Sequence, residues 1–449
     1  MNINEVYKVE IEKIASDGRG LAKINGKVVF VENSCPYDKL KIKITKINKN
    51  YMTGTIEEII EPSVHRIKPF CPMQKICGAC QLQFIDYDYQ LELKRQIVTD
   101  TMHKIAGIDI AIPNTIASPQ IKNYRHKIQY PVTQTKNSKR IIAGYYKSSS
   151  HDILNIKYCP IQPEICDEIF EFIRNNASKY SITGYNEKDN CGDLRHVVIR
   201  HSDKNNNCLV ALVINNDKIS DNLSKFCKKL YNAFDQIVGV CINFNTKRTN
   251  VILGNDTKLL YGNEYIEEEI CSKTFQITTE TFFQINPKSA QNIFNYIKQF
   301  IINSYKSPDI LDAYAGISAI GICLSDIANN IVTIEENTKS VELALKTAKL
   351  NKINNIEING GDAGEYFQNE KRKFDVIILD PPRKGCSTES LNNALKLCKG
   401  HIIYVSCNVA TLARDLKYLR NKGCKIESIQ PFDMFCHTYH IENVAIIKV

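Results

Sequence analysis

No apolar run in the 449 residues approaches the roughly 18 that a helix needs to cross a bilayer, so a membrane-spanning helix is not expected. The opening stretch MNINEVYKVEIEK is charged and lacks the apolar core of a signal peptide, which makes the cytoplasm the expected compartment. No sustained internal repeat is present, and that excludes a repeat architecture. A secreted disulfide framework is excluded by the same context, although 17 cysteines are present. Many of these, such as Cys323 and Cys398, stand alone in apolar runs and read as small buried hydrophobes.

A hydrophobic content of 43% is ordinary for globular cores, and the length suits two or three domains. The net charge is +9, which fits either a solvated lysine-rich surface or a polyanionic partner such as nucleic acid. Basic residues recur beside aromatics in KNYRHKIQY (Lys122 to Tyr130) and NFNTKRTN (Asn243 to Asn250). Such mixtures suit phosphate contact with base stacking.

Residues 4–60 read as short alternating strands broken by DGRG, Asn25-Gly26 and NKNY, the pattern of a small β-barrel. A cysteine-rich loop follows, then a helical pattern that ends at Gly107 as a cap. Residues 121–270 mix strands and helices as a middle α+β domain. From about residue 285, apolar strands alternate with helices. That order predicts an α/β, Rossmann-like parallel sheet with ligands at the carboxyl ends of its strands.

The residues at those strand ends are therefore the ones of interest. Asp312 opens a turn through Tyr314 and Gly316 to Gly321, where small residues let the backbone turn against a ligand. The second strand ends in Glu335, an acid placed to accept from ribose hydroxyls. Asp362 follows the third strand and could accept from an adenine amino group. The fourth ends in DPPRKG, Asp380 to Gly385, stiffened by two prolines. Each acid alone reads as a helix cap, but three at successive strand ends point to a nucleoside cofactor. The first turn lacks a full GxGxxG, which favours S-adenosylmethionine over a dinucleotide.

Cys407 follows the fifth strand, HIIYVS, and Glu442 opens the last, NVAIIKV. Alone, each has a plain reading, a buried thiol and a residue flanking an edge strand. Together they suit covalent chemistry on an electrophilic ring. A thiol has a pKa of about 8.5, so a small thiolate fraction exists at neutral pH for conjugate addition at C6 of a pyrimidine. A carboxylate in reach could then remove the C5 proton. Separately, Cys71, Cys77 and Cys80 form C-x5-C-x2-C, and Cys159 is a fourth candidate. Four thiolates suit either zinc or an iron–sulfur cluster.

YVSCNVATLARDL (Tyr404 to Leu416) and DMFCHTYHIENV (Asp433 to Val444) resemble the signature blocks of the RNA uracil-5-methyltransferase family. FFQINP, LDAYAGISAIG and DPPRKG resemble its cofactor motifs in the same order. The resemblance covers essentially the whole chain. It implies Cys407 as nucleophile, Glu442 as base, and cofactor contacts by Gln284, Tyr314, Glu335 and Asp380. It implies a [4Fe–4S] cluster on Cys71, Cys77, Cys80 and Cys159, and a TRAM-type barrel that holds RNA. The division then expected is barrel 1–60, central domain 61–275 and methyltransferase domain 276–449. Members with both barrel and cluster mostly modify 23S rRNA, so that RNA is the expected partner of a protein expected to be monomeric; the alternatives are the same reaction on a tRNA T-loop uridine and an amino-group RNA methyltransferase that uses the DPPR loop. Three positions depart from the pattern: Val409 and Cys436 stand where proline is usual, and the first turn reads AGISAI.

Overall fold

The computed structural model describes residues 2–135 and 140–449. Six strands open the chain: β1 (Val6–Glu10), β2 (Lys13–Ile14), β3 (Gly20–Ile24), β4 (Lys27–Val31), β5 (Lys39–Ile47) and β6 (Tyr51–Glu61). They form one sheet in the order β1-β5-β6-β4-β3-β2. Period-two patterning builds it: Leu40, Ile42 and Ile44 of β5 are fully buried, and lysines alternate with them. Val9, Ala22 and Ile24 share the same core, so the sheet curls round one apolar centre. Asn25 and Gly26 both take positive φ, the two-residue turn their pairing anticipates.

Helix α1 (Tyr87–Thr101) starts at Asp86, whose side chain accepts from the Tyr89 N–H. It runs on through a π-helical turn (Met102–Ala106) and stops at Gly107, which is left-handed at φ 62°. The expected cap is thus in place.

The middle region holds β7 (Lys127–Gln134), β8 (Ile141–Ala143), α2 (Glu164–Asn176), β9 (Leu194–Ser202), β10 (Asn207–Ile214), α3 (Asp221–Tyr231), β11 (Ile237–Phe244) and β12 (Asp256–Gly262). Its sheet runs β12-β11-β10-β9-β7-β8. Strand β7 carries Pro131, which obscured it in the sequence. Pairing with β8 begins only at Val132, so Pro131 lies where no ladder bond from that side is needed. Strand β12 has no apolar alternation to announce it. A hairpin follows, β13 (Ile266–Ile270) and β14 (Lys273–Ile277), turned by Cys271 and Ser272.

Then come α4 (Pro287–Ser304), β15 (Asp309–Ala313), α5 (Ala319–Leu324), β16 (Asn330–Glu335), α6 (Thr338–Leu350), β17 (Ile356–Gly360), α7 (Ala363–Asn369), β18 (Phe374–Leu379), α8 (Thr388–Leu397), β19 (Cys398–Ser406), α9 (Val409–Asn421), β20 (Lys425–Phe432) and β21 (Glu442–Lys448). Their seven-stranded sheet has the order β17-β16-β15-β18-β19-β21-β20. The pairs from β17 to β19 are parallel, as strand–helix alternation requires. No helix among the described residues is long and apolar enough to cross a membrane.

The chain divides into two compact units. One gathers Met1–Ser118, Arg383–Gly385 and Ser406–Ala445; the other gathers Pro119–Pro382, Cys386–Val405 and Ile446–Val449.

Candidate active site

The unit centred on Pro119–Pro382 carries the strand-end acids. After β15, Tyr314, Gly316 and Ser318 all have positive φ, which folds the turn tightly. A Cβ added at Gly316 would meet nothing within 4 Å, so the turn borders open space. The Glu335 carboxylate fixes its shape: Gly316 N–H donates to Oε2 and Asn337 N–H to Oε1, both at 2.8 Å. Asp312 is buried and accepts from Gly321 N–H at 3.0 Å through Oδ2, while Oδ1 has no hydrogen-bond partner among the described residues. Burial pushes its carboxyl up to about 7, and the charges of Asp380 and Glu335 add to the shift. Burial pushes Asp380 up to about 7 as well. Three carboxyls crowded together in this way favour a cationic ligand.

Asp362 is the N-cap of α7 and accepts from Glu365 N–H at 3.0 Å through Oδ1. The capping role is therefore real. It does not use Oδ2. Tyr314 lies near Cys386, Ser390 and Asp362; burial raises its pKa and the Cys386 and Asp362 charges push the same way. Gln284 is half-buried in the segment before α4, where Asn286 caps the helix and Pro287 begins it.

The basic segment Lys122 to Tyr130 does not offer the base stacking expected of it. Tyr124 and Tyr130 are buried, so neither ring is available for base stacking. The charges are another matter. Burial, with Arg200 and Arg125 close by, pushes the Lys127 ammonium down to about 7. Three cationic side chains thus meet with no carboxylate among the causes of the shift.

The other unit carries Cys407 and Glu442. Cys407 is half-buried directly after β19, and Glu442 is buried at the start of β21. Asn443 spans the two strand ends, since its Nδ2 donates to Ser406 O at 3.4 Å and to Ile441 O at 3.3 Å. Asn408 caps α9 by accepting from Ala410 and Thr411 N–H, and its Nδ2 donates to Arg383 O at 3.2 Å. Thr411 Oγ1 donates to the same carbonyl and Arg414 Nη2 to Lys384 O. The loop after Cys407 and the Arg383–Gly385 segment are therefore locked together.

Glu442 is placed by the loop before it, and that loop is held by α1. Lys94 and Asp433 are fully buried and form an ion pair at 2.6 Å. The same ammonium donates to Phe435 O at 3.2 Å and His440 O at 2.9 Å, so all three of its protons are used. Tyr87 Oη donates to Asp433 Oδ2 at 2.8 Å, and Leu82 N–H donates to His437 O at 2.8 Å.

The profile described as tRNA (Uracil-5-)-methyltransferase matches residues 86–448, and a TRAM domain profile matches residues 2–56. The chain belongs to this uracil-5-methyltransferase family. It is an RNA (uracil-5-)-methyltransferase that works with S-adenosylmethionine, built from an N-terminal TRAM β domain, a middle domain and a class I methyltransferase sheet. It is 36% identical over 450 residues to an uncharacterized RNA methyltransferase of Oceanobacillus iheyensis, covering 99% of this chain and 97% of that one. A Fusobacterium nucleatum relative, also an uncharacterized RNA methyltransferase, is 36% identical over 452 residues, covering 100% and 97%. The crystal structure of Pyrococcus abyssi tRNA (uracil-54, C5)-methyltransferase in complex with S-adenosyl-L-homocysteine is similar with a TM-score of 0.79. The two share 26% identity, with 98% of this chain and 100% of that one covered.

The sequence-expected residues of this methyltransferase separate by unit. Tyr314, Glu335, Asp362 and Asp380 surround one turn, and Cys407 and Glu442 sit at two strand ends joined by Asn443. Lys94 and Asp433 escaped notice. The available signal was a lysine at the buried i+4 position from Gln90, on a helix whose inner face should be apolar.

Proposed function

We propose that the enzyme methylates C5 of a uridine in 23S rRNA through a covalent Cys407 adduct. The Asn443 bridge between the strand ends of Cys407 and Glu442 carries the reading of the catalytic pair. The Cys407 thiolate adds to C6 of the uracil, and C5 acquires carbanion character. S-adenosylmethionine supplies the electrophilic methyl group, which C5 takes up. Glu442 removes the C5 proton, and the electrons of that C–H bond restore the C5–C6 double bond as the sulfur leaves C6.

The residues of the turn fit the cofactor. Glu335 would hold the ribose, Asp362 the adenine amino group through Oδ2, and Tyr314, Gln284 and Asp380 the methionine end. The orphaned Oδ1 of Asp312 adds negative charge beside a sulfonium. A target base inside folded RNA has to be unstacked to reach Cys407, which a single-stranded loop makes cheaper.

Cys71, Cys77, Cys80 and Cys159 would ligate a structural [4Fe–4S] cluster, four thiolates leaving no iron open. All four are thiols, and burial with the nearby Cys71 raises the Cys77 pKa. The combination of this set with the TRAM domain supports rRNA, and the domain limits 1–60, 61–275 and 276–449 belong to the same reading. A tRNA T-loop uridine is the second reading, favoured by the similarity to the Pyrococcus tRNA enzyme.

The test of the chemistry is Glu442→Ala, which should accumulate a covalent protein–RNA adduct after methylation. Full turnover with no adduct would refute the base. Mapping 5-methyluridine in 23S rRNA and tRNA from cells with and without the gene tests the substrate, and a change in tRNA alone would overturn the rRNA assignment.

A further inference from the structure

Beside the segment that carries Gln284 lies a second cluster that the methyl-transfer reading does not use. His126 precedes β7, His201 lies near the end of β9, and Asp203 sits in the turn to β10. One donor atom from each lies within 4.8 Å of the others. His126 Nε2 is 3.4 Å and His201 Nδ1 3.8 Å from Asp203 Oδ1. Tetrahedral ligands on bonds of about 2.0–2.1 Å stand about 3.3 Å apart, so little closure is needed.

Both imidazoles are over nine-tenths buried, and His201 has an Nδ1 without a hydrogen-bond partner among the described residues. For His201 that nitrogen is the one facing Asp203. Leaving such an atom unsatisfied in the interior is unfavourable unless something occupies the space in front of it.

The outward atoms of all three groups are backed. His201 Nε2 is 2.9 Å from Asn206 Oδ1, which fixes the tautomer that bares Nδ1. His126 Nδ1 is 3.4 Å from the buried Glu268 Oε2. Glu268 is itself held by the N–H groups of Asp203 and Glu269. Asp203 Oδ2 receives Lys288 Nζ at 2.9 Å, leaving Oδ1 for the cluster. A histidine backed by a carboxylate on its far nitrogen is the arrangement that orients imidazole for a metal.

We propose that His126, His201 and Asp203 bind a zinc-class divalent cation, with Glu268, Asn206 and Lys288 orienting them. Two imidazoles and one carboxylate suit Zn²⁺, Co²⁺ or Ni²⁺, and the side of Asp203 open to solvent leaves room for water as a fourth ligand. The site would tie the start of β7 to the β9–β10 turn. Because His126 N–H donates to Ile285 O at 2.7 Å, it would also steady the Gln284 segment. The alternative is a metal-free cluster in which His126 packs between the carboxylates of Asp203 and Glu268.

Co²⁺ titration of the full-length reduced protein separates the two. Thiolate-bound cobalt shows sulfur charge-transfer bands in the near ultraviolet, and this site would add visible d–d bands without them. The expected result is one such Co²⁺ in the wild type, lost in His126→Gln and in Asp203→Asn. Asp203 is partly exposed, so its variant guards against misfolding of the histidine variant. Glu268→Gln should weaken Co²⁺ binding roughly 10- to 100-fold. Cobalt bound only through sulfur in the wild type, or nitrogen-ligated cobalt unchanged in both variants, would overturn the proposal.

Discussion

Removing the Lys94 ammonium tests how Glu442 is held in place. In Lys94→Met the apolar stem is kept while three hydrogen bonds go, to Asp433 Oδ1, Phe435 O and His440 O. The Asp433 carboxylate stays fully buried and keeps the bond from Tyr87 Oη. Breaking one side of such a buried pair costs about 3–5 kcal/mol, because the remaining charge loses its counter-ion. In urea that lowers the unfolding midpoint of the affected transition by about 1–2 M. Adding Asp433→Leu removes the stranded charge and should restore part of the loss. The bonds from Lys94 to Phe435 O and His440 O stay lost, although Phe435 O keeps its donors from Thr438, so recovery is incomplete. Below the transition, the folded variant should form the Cys407–RNA adduct faster than it resolves it, since the loop that places Glu442 is loosened. Adduct on denaturing gels and the urea midpoint are the two readouts. A single variant within about 1 kcal/mol of wild type, or a double variant no more stable than the single, would refute the reasoning.

Three further outcomes are expected. The carboxyls of Asp312 and Asp380 sit near 7 in the fold, above the ordinary carboxylate value. Their ionisation therefore opposes folding increasingly as pH rises from about 4 to about 7, and a bound cation reverses that preference. S-adenosylmethionine should thus bind more tightly from pH 6 to 8, relative to the neutral sulfur of S-adenosylhomocysteine; a pH-independent ratio by calorimetry contradicts this. Glu335→Gln places an amide NH₂ against one of two backbone N–H groups and should weaken S-adenosylhomocysteine binding about tenfold, or about 1.4 kcal/mol. Gly385→Ala meets a positive φ of 74°, with the new Cβ 2.5 Å from Asp415 Oδ2 and 2.6 Å from Arg414 Nη2. It should cost at least about 1–2 kcal/mol and slow adduct formation, read by thermal unfolding and gel shift.

The parallel sheet was legible because each of its strands is a short apolar run followed by a ligand-type residue. The barrel was legible from alternation in β5 and β6. The strand β7 was hidden by Pro131, and Tyr124 and Tyr130 looked like stacking surfaces because burial does not show in a basic context. The strand-end acids could be located because strand ends are fixed by local pattern, and their role toward the cofactor is the proposed one. Lys94 with Asp433, and His126 with His201 and Asp203, could not be paired from sequence, since each set is joined only by the tertiary fold. Asp362 kept both of its readings, as cap and as acceptor, because one carboxylate has two oxygens.

The Lys94–Asp433 pair joins residues 339 positions apart. Chains emerge from the ribosome N-terminus first, so the barrel and α1 exist long before the loop they clamp. A nascent or C-terminally truncated chain can fold its RNA-holding domain while Glu442 has no fixed place. Loop closure over that span is slow, and with Glu442 as the proposed base the last residues made would decide when the enzyme becomes able to release its substrate. Premature termination would therefore yield proteins that hold RNA without completing a turnover.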